Sequence, residues 1–165
     1  MKFLRRNLSG LTDFSGRDPR GIFWPYAGVV VVVLMLVMGA GNMAFIGQAM
    51  SATDGMPNLI GMVLVMAVEI AAAVGLLAAA VTRRLHDTGR AGYWGLAPLL
   101  SLTLGLVGFS FLMRGIEKPL PGFELFFFAL FFNNLLYLGA LVLLIVLLAQ
   151  PSKADANRYG EPPPP

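Results

Sequence analysis

Apolar positions fill four long stretches of this chain, and polar positions gather between them. The first stretch runs from about residue 22 to 47 and contains the unbroken Val29 to Val33 block; the second covers 58 to 82, interrupted only by Glu69; the third covers 92 to 113 and the fourth 123 to 149. A run of about 23 residues rising 1.5 Å each reaches roughly 35 Å, enough to cross a hydrocarbon core of ~30 Å. The intervening segments, Gln48 to Pro57, Arg83 to Ala91 and Arg114 to Gly122, are rich in Gly, Pro or charge and read as loops. The pattern predicts an all-α integral membrane protein, a bundle of four transmembrane helices forming one domain over residues 1–150. A polar, Pro-rich tail follows over 151–165, expected to be extended and mobile. Ahead of the first span, Lys2, Arg5 and Arg6 among Phe3, Leu4, Leu8 and Leu11 suit a short amphipathic helix on the membrane surface. A secretory signal peptide is the rival reading of the first run. The polar leader through Arg20 is long, the apolar run exceeds a typical signal core and no clear small-x-small cleavage site follows, so the run is expected to stay as a span.

Composition agrees: 57% of the residues are hydrophobic, 13% are charged and the mean hydropathy is +0.74. The absence of cysteine excludes disulfides, thiolate metal sites and cysteine nucleophiles. A net charge of +3 would suggest nucleic acid as a partner in a soluble protein, but here the distribution of Lys and Arg carries the information, and no nucleic-acid partner is expected. Lys2, Arg5, Arg6, Arg17, Arg20, Arg83, Arg84, Arg90, Lys153 and Arg158 fall on one side of the spans, and only Arg114 and Lys118 on the other. Ten against two predicts that both termini and the middle loop are cytoplasmic.

Within the spans, Ala67, Ala71, Gly75 and Ala79 recur every four residues, and Ala72, Ala73, Ala78 and Ala80 broaden the stripe. Small residues let helix backbones approach closely, so the stripe is expected to pack inside the bundle, with a homo-oligomer interface as the alternative use. Asn42, Asn133 and Asn134 are expected to bond between helices. Glu69 falls near the middle of its span, where an ionised carboxylate costs about 3 kcal/mol, and is expected to be protonated or paired. Proton or cation handling is its functional reading, with a small transporter or channel component as the matching activity. No Lys, Arg or His lies at comparable depth, so a neutral Glu bonded to Asn, Ser or a carbonyl explains it more simply.

The remaining polar residues form three clusters. They are Phe14-Ser15-Gly16-Arg17 with Arg20, Phe23 and Trp24; Arg83-Arg84-Leu85-His86-Asp87-Thr88-Gly89-Arg90-Ala91-Gly92-Tyr93-Trp94; and Asn157-Arg158-Tyr159-Gly160 with Pro162. The predicted topology puts all three on one membrane face. At these residues the chain resembles the bacterial inner-membrane proteins called domain of unknown function 805. That family is similar in an N-terminal Phe-x-Gly-Arg followed by Arg and Phe-Trp, a central Arg-Arg-Leu-His-Asp-x-Gly-Arg-Ser-Gly-Trp-Trp and a C-terminal Asn-x-Tyr-Gly. Ala91 stands where the family usually has Ser, and Tyr93 where it usually has Trp. The resemblance implies a multi-pass protein of the bacterial inner membrane and, by the family's own designation, no assigned activity.

Two roles suit the central motif. Structurally, Arg83 and Arg84 would end the second span at the interface, Gly89 and Gly92 permit a tight turn, Asp87 or Thr88 could cap the next helix, and Tyr93 and Trp94 sit at headgroup level. Chemically, Arg17, Arg20, Arg83, Arg84, Arg90 and Arg158, with His86 and Asp87, form a candidate site for an anionic phospholipid headgroup, because guanidinium forks match phosphate oxygens. His86 is the lone histidine, so neither a metal nor another cofactor is expected. Successive residues point differently, so His86 and Asp87 are not expected to form a dyad. The leading functional expectation is a scaffold or anionic-lipid-binding membrane protein. The alternatives are the transporter built on Glu69 and a membrane-embedded enzyme acting on phospholipid headgroups through His86, Asp87 and the arginines.

Overall fold

A backbone in lipid has no water to bond, so each long apolar stretch closes its hydrogen bonds internally as a helix. The computed structural model describes residues 1–51, 59–117 and 122–162. Helix α1 spans Lys2–Ser9, α2 Arg20–Ser51, α3 Leu59–Asp87, α4 Leu96–Glu117 and α5 Phe123–Ala149, with a short 3-10 turn at Gly92–Gly95 before α4. Four segments, Arg20–Gln48, Gly61–Asp87, Gly92–Met113 and Phe123–Ala149, are long and apolar enough to cross a membrane. The expected loops at 48–57 and 114–122, Lys118 and the end of the proline run fall wholly or partly outside the described residues.

Three helices run past their expected ends, α2 to Ser51, α4 to Glu117 and α3 to Asp87, so the first residues of each expected loop are helical. Arg83 and Arg84 do not end the second span; α3 continues through Asp87, because each of these charged side chains finds a partner. Gly89 then stops the helix at φ +80, donating its N–H to His86 O at 2.9 Å while Arg90 N–H reaches Leu85 O at 2.8 Å. This paired bond pattern is the Schellman cap, and its left-handed position explains the glycine. The expected capping by Asp87 or Thr88 is not found. Thr88 Oγ1 donates backward to Leu85 O at 2.8 Å, Asp87 faces the arginines, and the 3-10 turn begins without a side-chain cap.

The buried apolar core lies at the end of the bundle that carries both described termini. Phe23, Tyr26, Ala27 and Val30 of α2 meet Ala80 and Leu85 of α3 and Leu144, Leu147 and Leu148 of α5. Tyr26 brings its hydroxyl into this core and donates it to Leu76 O at 2.7 Å. Helix α1 is amphipathic as expected, and it lays Phe3 and Leu4 against the protein core. Away from this core, the most extensive helix pairing is that of α4 with α5. Helices α4 and α5 form an antiparallel hairpin in which a Cβ at Gly108 would fall 2.3 Å from Leu130 Cδ2. Asn133 crosses this hairpin to donate to Ser101 O at 2.9 Å, and Asn42 joins α2 to α3 by donating to Glu69 Oε1 at 2.8 Å. Asn134 instead bonds within α5, to Leu130 O at 3.0 Å. The small-residue stripe also departs from expectation: Ala79 and Ala80 are buried, but Ala67, Ala71 and Gly75 face outward, and among the described residues no neighbouring helix comes within 4 Å of a Cβ placed at Gly75.

Two substitutions separate tight from tolerant positions. Gly108→Val should destabilise the protein by about 1–3 kcal/mol, the usual cost of overpacking, whereas Glu69→Gln keeps the oxygen that accepts from Asn42 and should change stability by less than ~0.5 kcal/mol. Unfolding in detergent micelles checks both. A silent Gly108→Val would contradict the close hairpin, and a strongly destabilised Glu69→Gln would show that Glu69 needs its charge.

Candidate functional site

Two carboxylates organise the polar end of the bundle. Asp18 lies in the loop before α2, where its N–H donates to Arg83 O at 3.2 Å. Its Oδ1 accepts Arg6 Nε and its Oδ2 accepts Arg83 Nε, both at 2.7 Å. Asp87 lies on the last turn of α3. Its Oδ1 accepts Arg17 Nε at 3.2 Å, and its Oδ2 accepts Arg84 Nη1 and the Ser152 hydroxyl. Both carboxylates are 0% exposed, and Arg17, Arg83 and Arg84 are buried with them.

Each buried guanidinium uses its remaining donors to hold a different segment. Arg83 reaches the N-terminal region, donating to Gly10 O and Asn7 Oδ1 at 2.8 and 2.7 Å and to Asp13 O. Asp13 is itself fixed in a turn by the N–H and hydroxyl of Ser15, which hold its carboxyl below the usual carboxylate range. Arg84 reaches the end of α5, donating to Leu148 O at 2.9 Å and to Gln150 O. Carbonyls at a helix C-terminus lack intrahelical donors and carry partial negative charge, so a cation belongs there. Arg17 reaches the tail, donating to Asp155 O and Gly160 O at 3.0 and 3.2 Å and to Lys153 O. Among the described residues no buried side-chain polar atom lacks a partner. Removing one member of such a pair costs about 3–5 kcal/mol, because the other charge is left buried and uncompensated.

The tail, expected to be extended and mobile, is instead folded onto this end. Lys153 N–H donates to Asp87 O at 3.1 Å, and Asn157 Nδ2 donates to His86 O at 3.1 Å. Asn157 also turns the chain by accepting Tyr159 N–H at 2.8 Å, and it bridges to Gly160. Tyr159 is thereby laid flat on His86, with ring centroids 3.7 Å apart and 5° between planes. His86 Nδ1 lies 3.3 Å from Gly16 O, and Arg158 covers the Tyr159 ring with its guanidinium carbon 4.7 Å from the centroid. The three sequence clusters therefore meet at His86. The imidazole and the Asp87 carboxylate face different partners and form no dyad.

The candidate residues thus sort into two groups. Arg17, Arg83, Arg84 and Asp87 are sealed inside, with His86 half-buried beside them. Arg20, Arg90 and Arg158 lie at the rim, and among the described residues none of these three has an ion-pair partner. Arg20 and Arg90 converge on Gln150: Arg20 Nε donates to its backbone O at 3.1 Å, and Arg90 Nε and Nη2 donate to its Oε1 at 3.3 and 3.2 Å. Glu69 is remote from this end and bonds Asn42 within the spans. Among the described residues no three His, Asp or Glu side chains gather at metal-ligand spacing. Sequence reasoning missed Asp18, Arg6, Asn7, Gln150 and Ser152. Asp18 carried a signal, an acidic residue set between Arg17 and Arg20 at the start of a span, where burial without a cation would be costly.

The tail's attachment can be read by proteolysis. Trypsin should cut slowly after Lys153 and Arg158 in the native protein and on the order of tenfold faster in Arg17→Gln or Tyr159→Ala, since cleavage follows the population of the released state and 1.4 kcal/mol is tenfold. Equal cutting rates would contradict a docked tail.

The comparisons with known proteins agree with this arrangement of motifs. A family model described as Protein of unknown function (DUF805) matches residues 11–161, which takes in all four spans and the three motif clusters except Pro162. No curated protein and no solved structure matches the chain. With nearly its whole length covered, the chain belongs to the DUF805 family and is a multi-pass protein of the bacterial inner membrane.

Proposed function

We propose that the protein is a non-catalytic membrane scaffold whose polar end faces the cytoplasm and holds anionic headgroups through its rim cations. The observation that carries this reading is the division of labour among the arginines. Arg17, Arg83 and Arg84 spend their donors on protein oxygens, whereas Arg20 and Arg90 flank Gln150 without a carboxylate of their own among the described residues. The anion site expected from all six motif arginines is accordingly narrowed to the rim. Trp24, Tyr93 and Trp94 are exposed around it, as residues at headgroup level should be. The excess of Lys and Arg at this end supports the cytoplasmic orientation, and each surface cation is worth about 1 kcal/mol against an acidic leaflet. A scaffold also suits the sealed Asp87, whose carboxylate is closed to a substrate.

Native mass spectrometry of protein released gently from its own membrane tests the proposal. Wild-type protein should retain anionic phospholipid in preference to zwitterionic lipid, and Arg20→Gln with Arg90→Gln should reduce that retention several-fold without unfolding the protein. Retention that ignores headgroup charge, or that survives the double substitution, would contradict it.

A further inference from the structure

An apolar groove of about 360 Å³ opens between α3, α4 and α5, below the turn that carries Arg90. Its walls include Ala73, Ala78, Leu99 and Leu141, and two hydroxyl residues, Thr82 and Tyr137, also line it. Neither hydroxyl has a hydrogen-bond partner among the described residues. On α3 the lining runs from Ala73 to Thr82, close to the polar end. Nine helical steps of 1.5 Å cover roughly 14 Å, about half of a ~30 Å hydrocarbon core, so the groove is one leaflet deep. Its lining is too apolar to hold ordered water.

Two cations, Arg90 and Lys153, lie at the turn above this groove, outside its lining. Gly92 lines the groove, two residues beyond Arg90, and the Lys153 side chain lies across Gly89, with Cε and Nζ 2.6 and 2.8 Å from where a Cβ would sit. Among the described residues neither Arg90 nor Lys153 has an ion-pair partner. An apolar slot one leaflet deep beneath unpaired cations matches a molecule with an anionic head and a long hydrocarbon chain.

We propose that this groove is a specific site for one acyl chain of an anionic glycerophospholipid, whose phosphate lies on Arg90 and Lys153. The inference rests on the headgroup reading above and adds the place of the chain. The hydroxyl of Thr82, near the polar end of the groove, is available to the ester region of a seated lipid. Lipid merely coating the bundle would instead spread over every outward face, including that of Ala67, Ala71 and Gly75.

The test uses full-length protein in nanodiscs containing a phosphatidylglycerol with a photoreactive diazirine on one chain, and the matching phosphatidylcholine as control. Labelling should concentrate on 73–82 and 137–141, at least fivefold stronger with the anionic probe. It should fall by a similar factor in Ala78→Phe, which fills the groove, and in Arg90→Gln with Lys153→Gln, which empties the rim of charge. The rim variant leaves the apolar packing untouched and keeps the test meaningful should Ala78→Phe fail to fold. Labelling spread evenly over the outward helix faces, with headgroup preference intact, would overturn the groove and leave the headgroup reading standing. Equal labelling by both probes together with charge-blind lipid retention would overturn both.

Discussion

The carboxylate of Asp87, wholly removed from solvent, accepts Arg17 from the N-terminal segment, Arg84 from its own helix and the Ser152 hydroxyl from the tail. A charge placed there without those partners would cost several kcal/mol. The three segments are therefore obliged to arrive together. Asp18 repeats the arrangement one layer away, joining Arg6 and Arg83. Three buried guanidinium groups and the exposed Arg6 share two carboxylates, and backbone carbonyls of the N-terminal loop, the α5 terminus and the tail accept donors that remain. The polar end behaves as a small folded domain whose interior is ionic.

This explains an asymmetry in the molecule. Within lipid, hydrophobicity gives helices little reason to associate, and packing falls to small residues and isolated polar bonds. The spans show such contacts at Gly108 against Leu130, Asn133 on Ser101 and Asn42 on Glu69, and they leave an apolar groove between α3, α4 and α5. The apolar core, by contrast, sits directly beneath the ionic end, where Phe23, Tyr26, Leu85 and Leu148 close over the arginines' partners. Buried ionic bonding is concentrated at one end of the bundle.

Much of this was legible in the chain itself, and the rest fails for physical reasons. Continuous apolar runs of span length located all four helices, because in lipid such runs have no other structure to adopt. The three polar clusters were also recognisable, and their common face followed from the Lys and Arg distribution. Their partners within the protein were not legible. Arginines near a membrane read as headgroup ligands, and nothing local in Arg83-Arg84 announces that Asp18, far back in the sequence, will neutralise one of them. The tail read as mobile because proline-rich composition reports on the isolated segment. Arg17 and the His86 ring, which hold it, belong to other segments. The stripe of Ala67, Ala71 and Gly75 misled for a related reason: spacing defines a face and leaves its neighbour unspecified.

The central claim is that buried ion pairs, more than apolar packing, fold the polar end. A double-mutant cycle on Arg83 and Asp18 tests it most directly, using Arg83→Gln, Asp18→Asn and the combined variant, with unfolding free energies measured in the same micelles. If the pair is the buried contact seen at 2.7 Å, each single substitution should destabilise by about 3 kcal/mol or more and the double variant by well under their sum, giving a coupling of at least ~1.5 kcal/mol. Additive losses, with coupling near zero, would mean that the two side chains act independently and would contradict the account.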